Sequence, residues 1–181
     1  MTQDKEPSKA THGLIMINTG TGKGKTTAAM GLMMRAWGHD QKVVMLQFIK
    51  NARANFGEHR AARRMGIEMV PLGAGFTFDG KNVEKNMKLS QELWEQAKEK
   101  IGCGEYRLVV LDELTYPLKF GWLPMDEVIN ALKQRPPEVN VVITGRDAPQ
   151  ELIDIADMVS EINPVKHHLQ QGIKAQPGVE F

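Results

Sequence analysis

The 181-residue sequence predicts an α/β fold in which a mostly parallel sheet carries helices on both faces. One observation is that short apolar runs alternate with stretches of helical composition along the chain. Another is the composition, 41% hydrophobic and 25% charged, which suits one compact domain with a sizeable core. Because no repeat, low-complexity segment or linker interrupts this pattern, we expect one domain over residues 13–181 after a flexible N-terminal arm of residues 1–12.

The apolar runs predict five strands and a possible sixth. They cover residues 13–18, 42–49, 67–72, 106–111, 139–144 and 158–162. In open parallel sheets the ligand binds at the carboxyl ends of the strands. The residues that directly follow each strand are therefore the first candidates for a functional site.

Helical composition predicts the remaining regular elements. The helices cover residues 28–37, 58–65, 83–101, 124–134 and 148–156, and the tail from 163 to 181 is predicted to be irregular. Trp37 and Trp94 lie within two of these helices, and we expect both in the core.

Charge and cysteine content limit the partners and the compartment. The formal net charge is +1, from 23 basic and 22 acidic residues, so no global basic field favours nucleic acid. No apolar run approaches the roughly 20 residues of a membrane span, and the first residues lack the apolar core of a signal peptide. The single cysteine, Cys103, fits a reducing cytosol. We expect a cytoplasmic protein with neither a nucleic-acid nor a membrane partner.

The stretch TGTGKGKTT at residues 19–27 lies between the first strand and the first helix. Its glycines let successive backbone N–H groups turn inward, and the helix behind adds free donors and the positive end of its dipole. Lys25 supplies a charge for phosphate oxygens and Thr26 a hydroxyl for Mg²⁺. The usual pattern G-x-x-x-x-G-K-[ST] has a glycine where this chain has Thr19. The predicted nucleotide-binding residues of this phosphate loop are Gly20, Thr21, Gly22, Lys23, Gly24, Lys25, Thr26 and Thr27.

The fourth strand ends in two carboxylates, Asp112 and Glu113. A buried strand can end in acids for structural reasons alone. Together with a phosphate loop, however, the pair indicates a site where a carboxylate holds Mg²⁺ opposite Thr26, because Mg²⁺ prefers few protein ligands beside phosphates and waters.

Other charged residues give weaker signals. Arg146 follows the fifth strand and can bind phosphate or ribose oxygens, or form a surface salt bridge. Arg35, three turns into the first helix, is less clear from spacing. The basic cluster at residues 59–64 is interpreted as a solvated helix face. His167 and His168 have no partner at metal-ligand spacing, so a structural role is favoured.

The loop at residues 73–80 contains two aromatics between glycines, Phe76 and Phe78. They either plug the end of the sheet or form an apolar wall for a large flat ligand. The sequence alone leaves these two interpretations open.

Taken together, these segments resemble the P-loop type of ATP:corrinoid adenosyltransferase, the housekeeping class also called cob(I)alamin adenosyltransferase. The matching motifs are GTGKGKTT at 20–27, RAWGH at 35–39, QFIK at 47–50, GFTFD at 75–79, LDELTY at 111–116, TGR at 144–146, PVKH at 164–167 and GIKAQ at 172–176. The resemblance runs from about residue 13 to 181.

The resemblance implies a RecA-like fold, a cytoplasmic homodimer and a reaction. The adenosyl group of ATP moves to cobalt(I) of a corrinoid, such as cobalamin or cobinamide, and triphosphate leaves. ATP is expected to lie reversed in the loop, and a protein such as a flavodoxin to supply the electron. Mg²⁺ is the implied cofactor.

The resemblance also implies residue roles. Thr26 and Glu113 are the implied metal ligands, with Asp112 supporting them, and Arg35 joins the nucleotide-binding set. Lys25 and Arg146 would stabilise the leaving group. The implied catalytic wall is Phe76 and Phe78, which would displace the lower axial ligand of cobalt.

Two residues depart from the pattern of the family: Thr21 stands where many relatives have Asn, and Phe78 where Trp is common. Two other functions remain open. An ATPase or kinase acting at the γ-phosphate would share the same loop and carboxylates. A nucleotide-binding regulator or RecA-like DNA-binding module would need a basic face.

Overall fold

The computed structural model describes residues 12–51, 53, 55–75 and 83–180. The predictions made for residues 1–11 and for Phe76 and Phe78 lie outside the described residues.

Six strands and six helices form the described part of the chain. The strands are β1 Ile15–Thr19, β2 Val43–Asn51, β3 Glu68–Gly73, β4 Leu108–Asp112, β5 Asn140–Thr144 and β6 Met158–Glu161. The helices are α1 Lys25–Trp37, α2 Gly57–Met65, α3 Val83–Gly102, α4 Thr115–Lys119, α5 Met125–Lys133 and α6 Gln150–Ile155. A 3₁₀ turn, His168–Gln171, follows in the tail.

The strands form one sheet in the order β3-β2-β4-β5-β1-β6, and every pairing is parallel. This confirms the predicted α/β class and the possible sixth strand. The carboxyl ends of β1, β2, β4 and β5 consequently lie along one edge, where the phosphate loop also begins.

Two apolar clusters lie on opposite faces of the sheet. Along β2, Val44 and Leu46 belong to the larger cluster, and Val43 and Met45 to the smaller one. This alternation follows from the two-residue period of a strand. The smaller cluster receives Ala29 and Met33 from α1, and the larger receives Leu93 and Trp94 from α3. Helices therefore cover both faces, as predicted.

The prediction for the two tryptophans was right for one and wrong for the other. Trp94 is 1% exposed, whereas Trp37 is 44% exposed. Trp37 is the last residue of α1, and its indole N–H donates to the carbonyl of Met65 at the end of α2 over 3.1 Å. It links two helix ends at the surface instead of entering the core.

Two short elements were not predicted, α4 and the 3₁₀ turn. Each is only four or five residues long, too short to show a helical period in the sequence. No helix in the described ranges is both long and apolar enough to cross a membrane.

Candidate active site

The phosphate loop connects β1 to α1 and uses glycine where its backbone requires it. Gly20 has φ 96° and Gly24 has φ 119°, a left-handed region that favours glycine. A Cβ on Gly20 would also lie 2.5 Å from the carbonyl oxygen of Ile162, the residue after β6. The loop is therefore held against the chain that follows β6, and the N–H of Gly22 donates to the carbonyl of Ile162 over 2.7 Å.

Thr19, the departure from the usual loop pattern, is the last residue of β1. It is 8% exposed, and its hydroxyl accepts a hydrogen bond from the backbone N–H of Ala148 over 3.1 Å. A strand residue needs no glycine. The threonine instead ties the start of the loop to the segment that follows β5.

Lys25 points back over the loop. Its Nζ donates to the carbonyl oxygens of Gly20 and Gly22 over 2.8 and 2.6 Å. Burial lowers the pKa of Lys25, and the neighbouring charge of Arg146 lowers it further. Because Gly24 begins α1 without a side chain to cap it, the first amide groups of the helix are available to an anion. An incoming phosphate would find donors from both the loop and the lysine.

Asp112 ends β4 as a fully buried carboxylate whose oxygens both accept hydrogen bonds. Oδ1 accepts from the hydroxyls of Thr26 over 2.8 Å and Thr144 over 2.7 Å. Oδ2 accepts from the amide of Gln47 over 3.0 Å. Since the hydrogen of Thr26 is directed to Asp112, a lone pair of that hydroxyl is free for a cation. Asp112 thus fixes the orientation of the Thr26 hydroxyl.

Glu113 follows directly and has a strained backbone, with φ 63°. Its N–H donates to the hydroxyl of Thr144 over 3.0 Å, and its side chain lines the cleft described below. Burial raises the pKa of Glu113 to about 7, and the adjacent charge of Asp112 adds to the effect. A carboxylate that is costly to ionise without a partner is one that a bound cation would stabilise.

The donor set fits Mg²⁺ that arrives with a nucleotide. Among the described residues, no group of three or more His, Cys, Asp or Glu could hold a metal ion by itself. Thr26 and Glu113 offer two oxygen ligands, and Mg²⁺ usually takes the rest from phosphates and water.

A cleft of about 730 Å³ joins the phosphate loop to an apolar wall. Its polar part includes Lys25, Thr26, Glu113 and Arg146. Its apolar part comes from α1, α2, β3 and the link between α2 and β3: Met30, Met33, Met34, Ala61, Ala62, Met65, Ile67 and Met69. The same cleft therefore contains both charged groups that can bind phosphate and an apolar surface.

The structure brings most predicted site residues together. The loop from 22 to 27 lines the cleft with Glu113 and Arg146, and Asp112 lies behind Thr26. Arg35 lies elsewhere, ten residues after Lys25 on α1, which is about 15 Å along a helix, and it is exposed. Its nucleotide-binding role stays a prediction, as do the roles of Phe76 and Phe78.

Sequence reasoning missed three buried polar residues beside Asp112. Gln47 and Thr144 are 0% exposed, and His59 is 3% exposed. His59 was assigned to a solvated basic face, which is wrong for this residue because it points inward to Gln47 at 2.7 Å. Arg60, which follows it, is exposed as predicted. The available signal was the single amide in the apolar run VVMLQFI.

The C-terminal tail also reaches the loop. Glu180 Oε2 lies 2.5 Å from Lys23 Nζ, and its Oε1 lies 2.5 Å from His168 Nε2. The contact with His168 has an ion-pair distance but not the geometry of a hydrogen bond. His167 stacks on His168 with ring centroids 4.9 Å apart, so the histidine pair packs in the tail.

Comparison with solved structures supports the fold. The flagellar accessory protein FlaH from Methanocaldococcus jannaschii matches with a TM-score of 0.54 at 11% identity, over 83% of this chain and 71% of that one. At this identity the likeness concerns the fold alone, and it agrees with the RecA-like P-loop architecture.

Comparison with known sequences is more specific. A corrinoid adenosyltransferase from Escherichia coli K12 is 43% identical over 169 residues, which cover 93% of this chain and 86% of the relative. The corrinoid adenosyltransferase CobA from Salmonella typhimurium LT2 is 42% identical with the same coverage. The model of the family described as ATP:corrinoid adenosyltransferase BtuR/CobO/CobP matches residues 11–181. The chain therefore belongs to the ATP:corrinoid adenosyltransferase family.

Proposed function

We propose that the protein transfers the 5′-deoxyadenosyl group of ATP to cobalt(I) of a corrinoid and releases triphosphate. The observation that carries this proposal is the membership of nearly the whole chain in a family whose curated relatives are named corrinoid adenosyltransferases. The cleft is consistent with it, because the phosphate loop adjoins an apolar wall suited to a large hydrophobic acceptor.

The reaction is a displacement at carbon. An electron pair of cobalt(I) forms the cobalt–carbon bond as the bond between the 5′ carbon and its oxygen breaks. That bonding pair leaves with the triphosphate, and cobalt is formally oxidised from cobalt(I) to cobalt(III). The corrinoid is itself the nucleophile, so no protein nucleophile is needed, and ATP would lie reversed in the loop to expose the 5′ carbon.

The protein's task is to orient the substrates and to stabilise the leaving charge. Lys25, the loop amides and Arg146 are the donors for the triphosphate. Thr26 and Glu113 would hold Mg²⁺, with Asp112 fixing the hydroxyl of Thr26. Bound Mg²⁺ would supply positive charge to the phosphate oxygens.

The reductive step is assigned to the loop that carries Phe76 and Phe78, outside the described residues. An apolar aromatic wall that occupies the lower face of the corrinoid would remove the axial ligand and ease reduction of cobalt(II). We further propose a cytoplasmic homodimer that receives its electron from a reductant protein such as a flavodoxin.

One assay tests the proposed reaction. The protein is incubated without oxygen with ATP, Mg²⁺ and chemically reduced corrinoid, and the products are separated. Adenosylcorrinoid and triphosphate in equal amounts are expected, with little free phosphate. ADP and phosphate as the main products would instead support an ATPase or kinase, and tight salt-dependent binding of DNA would support a nucleic-acid module.

A further inference from the structure

The buried chain of hydrogen bonds behind Asp112 extends to the first turn of α2. His59 lies in that turn, and Gln47 lies on β2 between the helix and the carboxylate. Burying polar side chains is costly unless each finds a partner. Among the described residues these two are joined to each other and to Asp112, so the arrangement has one continuous path.

The backbone fixes the direction of every bond in this path. The N–H of Phe56 donates to Nδ1 of His59 over 3.1 Å, so Nδ1 accepts and Nε2 carries the hydrogen. Nε2 then donates to Oε1 of Gln47 over 2.7 Å. This leaves the amide nitrogen of Gln47 to donate to Oδ2 of Asp112 over 3.0 Å. Burial lowers the pKa of His59 and so favours the neutral ring that this pattern requires.

The path continues from Asp112 to both proposed magnesium ligands. Its other oxygen accepts from Thr26 and from Thr144, and the Thr144 hydroxyl in turn accepts from the N–H of Glu113. Gln47 and Asp112 are also paired in register on adjacent strands. A change at His59 can therefore reach the hydroxyl of Thr26 and the backbone of Glu113 without touching substrate.

A second link runs in parallel between the same elements. Glu58, next to His59 on α2, lies 2.7 Å from Lys50 Nζ, and Lys50 Nζ lies 4.0 Å from Asp112 Oδ2. The start of α2 is thus connected to the strand-end carboxylate twice, through Gln47 and through Lys50. This makes α2 part of the support of the phosphate site.

We propose that His59 is a positioning residue for the magnesium–nucleotide site, acting through Gln47 on Asp112. The inference rests on the proposed binding of Mg²⁺ and ATP but not on adenosyl transfer. The alternative is that His59 only caps α2, since its Nδ1 accepts the N–H of Phe56, the residue just before the helix.

Two substitutions separate these roles. His59→Asn keeps an acceptor near the position of Nδ1 but is too short to reach Gln47. His59→Gln places an amide donor near the position of Nε2 and can restore the bond to Gln47. Positioning predicts that the Gln variant binds Mg²⁺ almost as the wild type does and that the Asn variant binds it more weakly. Capping alone predicts that neither variant binds Mg²⁺ more weakly, because Asn keeps the acceptor and Gln at this helix position can also accept the N-cap N–H.

The measurement is the dissociation constant of Mg²⁺ at saturating ATP, by calorimetry on the full chain. We expect His59→Asn to weaken Mg²⁺ binding roughly 3–10-fold, the usual range for one net hydrogen bond, and His59→Gln to change it less than about twofold. Gln47→Met should match His59→Asn. Combining Gln47→Met with His59→Asn should add little, because both break the same path.

Val128→Ala is the matched stability control. It truncates a fully buried residue of α5 in the larger apolar cluster, and its apolar side chain forms no hydrogen bond with the path. It should therefore lower the melting temperature and leave Mg²⁺ binding unchanged. Normal binding by His59→Asn, or additive losses in the double variant, would overturn the proposal. If Gln47→Met does not fold, the comparison of the two His59 variants decides alone. Mg²⁺ and ATP binding without adenosyl transfer would refute the proposed function and leave this test intact.

Discussion

Two carboxylates reach the phosphate loop from different parts of the molecule. Asp112 belongs to the central strand β4 and is fully buried, with three side-chain donors on its two oxygens. Glu180 belongs to the irregular tail and contacts Lys23 and His168 at ion-pair distance. Both lie beside the same loop, but strand register fixes only the first.

This difference indicates that the two carboxylates have different roles. The register of β2 and β4 places Gln47 opposite Asp112, so the position of that carboxylate is part of the fold and serves to build the site. Glu180 provides negative charge to a loop that would otherwise hold only cations, a task that a bound phosphate can take over. We call the phosphate loop with Asp112 and Glu113 the strand side of the site, and Glu180 with its partners the tail side. Substitutions on the strand side should therefore have large effects on turnover, and substitutions on the tail side small ones.

The largest effect is expected at Lys25, whose Nζ lies over the loop carbonyls. Lys25→Ala removes a donor for the leaving triphosphate, and losing one such contact typically costs on the order of 10²–10³ in rate. Turnover of ATP and reduced corrinoid under saturating conditions is the measurement. Lys42→Ala, which breaks an exposed ion pair with Glu105, is the control and should be near normal. Equal rates for both variants would contradict the assignment.

The next effect concerns the metal. Glu113→Ala and Thr26→Ala should each raise the Mg²⁺ concentration for half-maximal turnover by roughly tenfold or more, because even indirect partners of metal sites contribute 10–100-fold. A magnesium titration of the rate at saturating ATP checks this. An unchanged half-maximal Mg²⁺ concentration in both variants would contradict the assignment of Glu113 and Thr26 as magnesium ligands.

The sequence predicted the local features of the site better than its long-range contacts. The alternation of apolar runs predicted all six strands, and the motif TGTGKGKTT predicted the loop between β1 and α1 that lines the cleft, because both signals are local. The path from His59 to Asp112 was missed since its members are 12 and 65 residues apart along the chain. Their contact depends on the pairing of β2 with β4, which periodicity does not encode.

Trp37 and Glu180 also depend on long-range contacts that the sequence did not predict. Trp37 has helical neighbours and an apolar ring, but its exposure depends on where α1 ends relative to α2, which is a tertiary fact. Glu180 carried no motif that linked it to Lys23, 157 residues earlier. Residues 76–82 lie outside the described residues, so the aromatic wall remains a prediction from resemblance.

A pH effect on stability is expected from Glu113. In the metal-free protein the pKa of Glu113 is raised from 4.5 to about 7, so the folded state binds more protons than the unfolded state between these values. Its contribution to stability is present below about pH 4.5 and is lost as the pH rises through 7. We expect a loss of about 1–2 kcal/mol in the free energy of unfolding, less than the full shift because the group is partly exposed.

Urea unfolding of the wild type and Glu113→Gln at pH 5 and pH 8, without metal, measures this loss. His59 acts in the opposite direction, since its lowered pKa makes its contribution rise with pH. The difference between the two proteins cancels His59 and isolates Glu113. Identical pH dependence in both proteins would mean that Glu113 is not perturbed.

The smallest effect is expected at Glu180, and it tests the tail side directly. The hydrogen bond from Lys23 lowers the pKa of the Glu180 carboxyl, so at neutral pH the tail holds a negative charge beside the loop. Phosphate that binds the loop must share Lys23 with that charge. Glu180→Gln should therefore tighten binding of inorganic triphosphate by less than about fivefold, because such exposed pairs contribute little.

The tightening should shrink at high salt, which screens the charge of Glu180 in the wild type. Calorimetric titration with triphosphate at low and high salt measures both effects, and Glu151→Gln, on the exposed face of α6, is the charge-matched control. Weaker binding in Glu180→Gln would show that the carboxylate holds Lys23 in place for the phosphate. The tail would then build the site as Asp112 does, and the contrast between the two carboxylates would be lost.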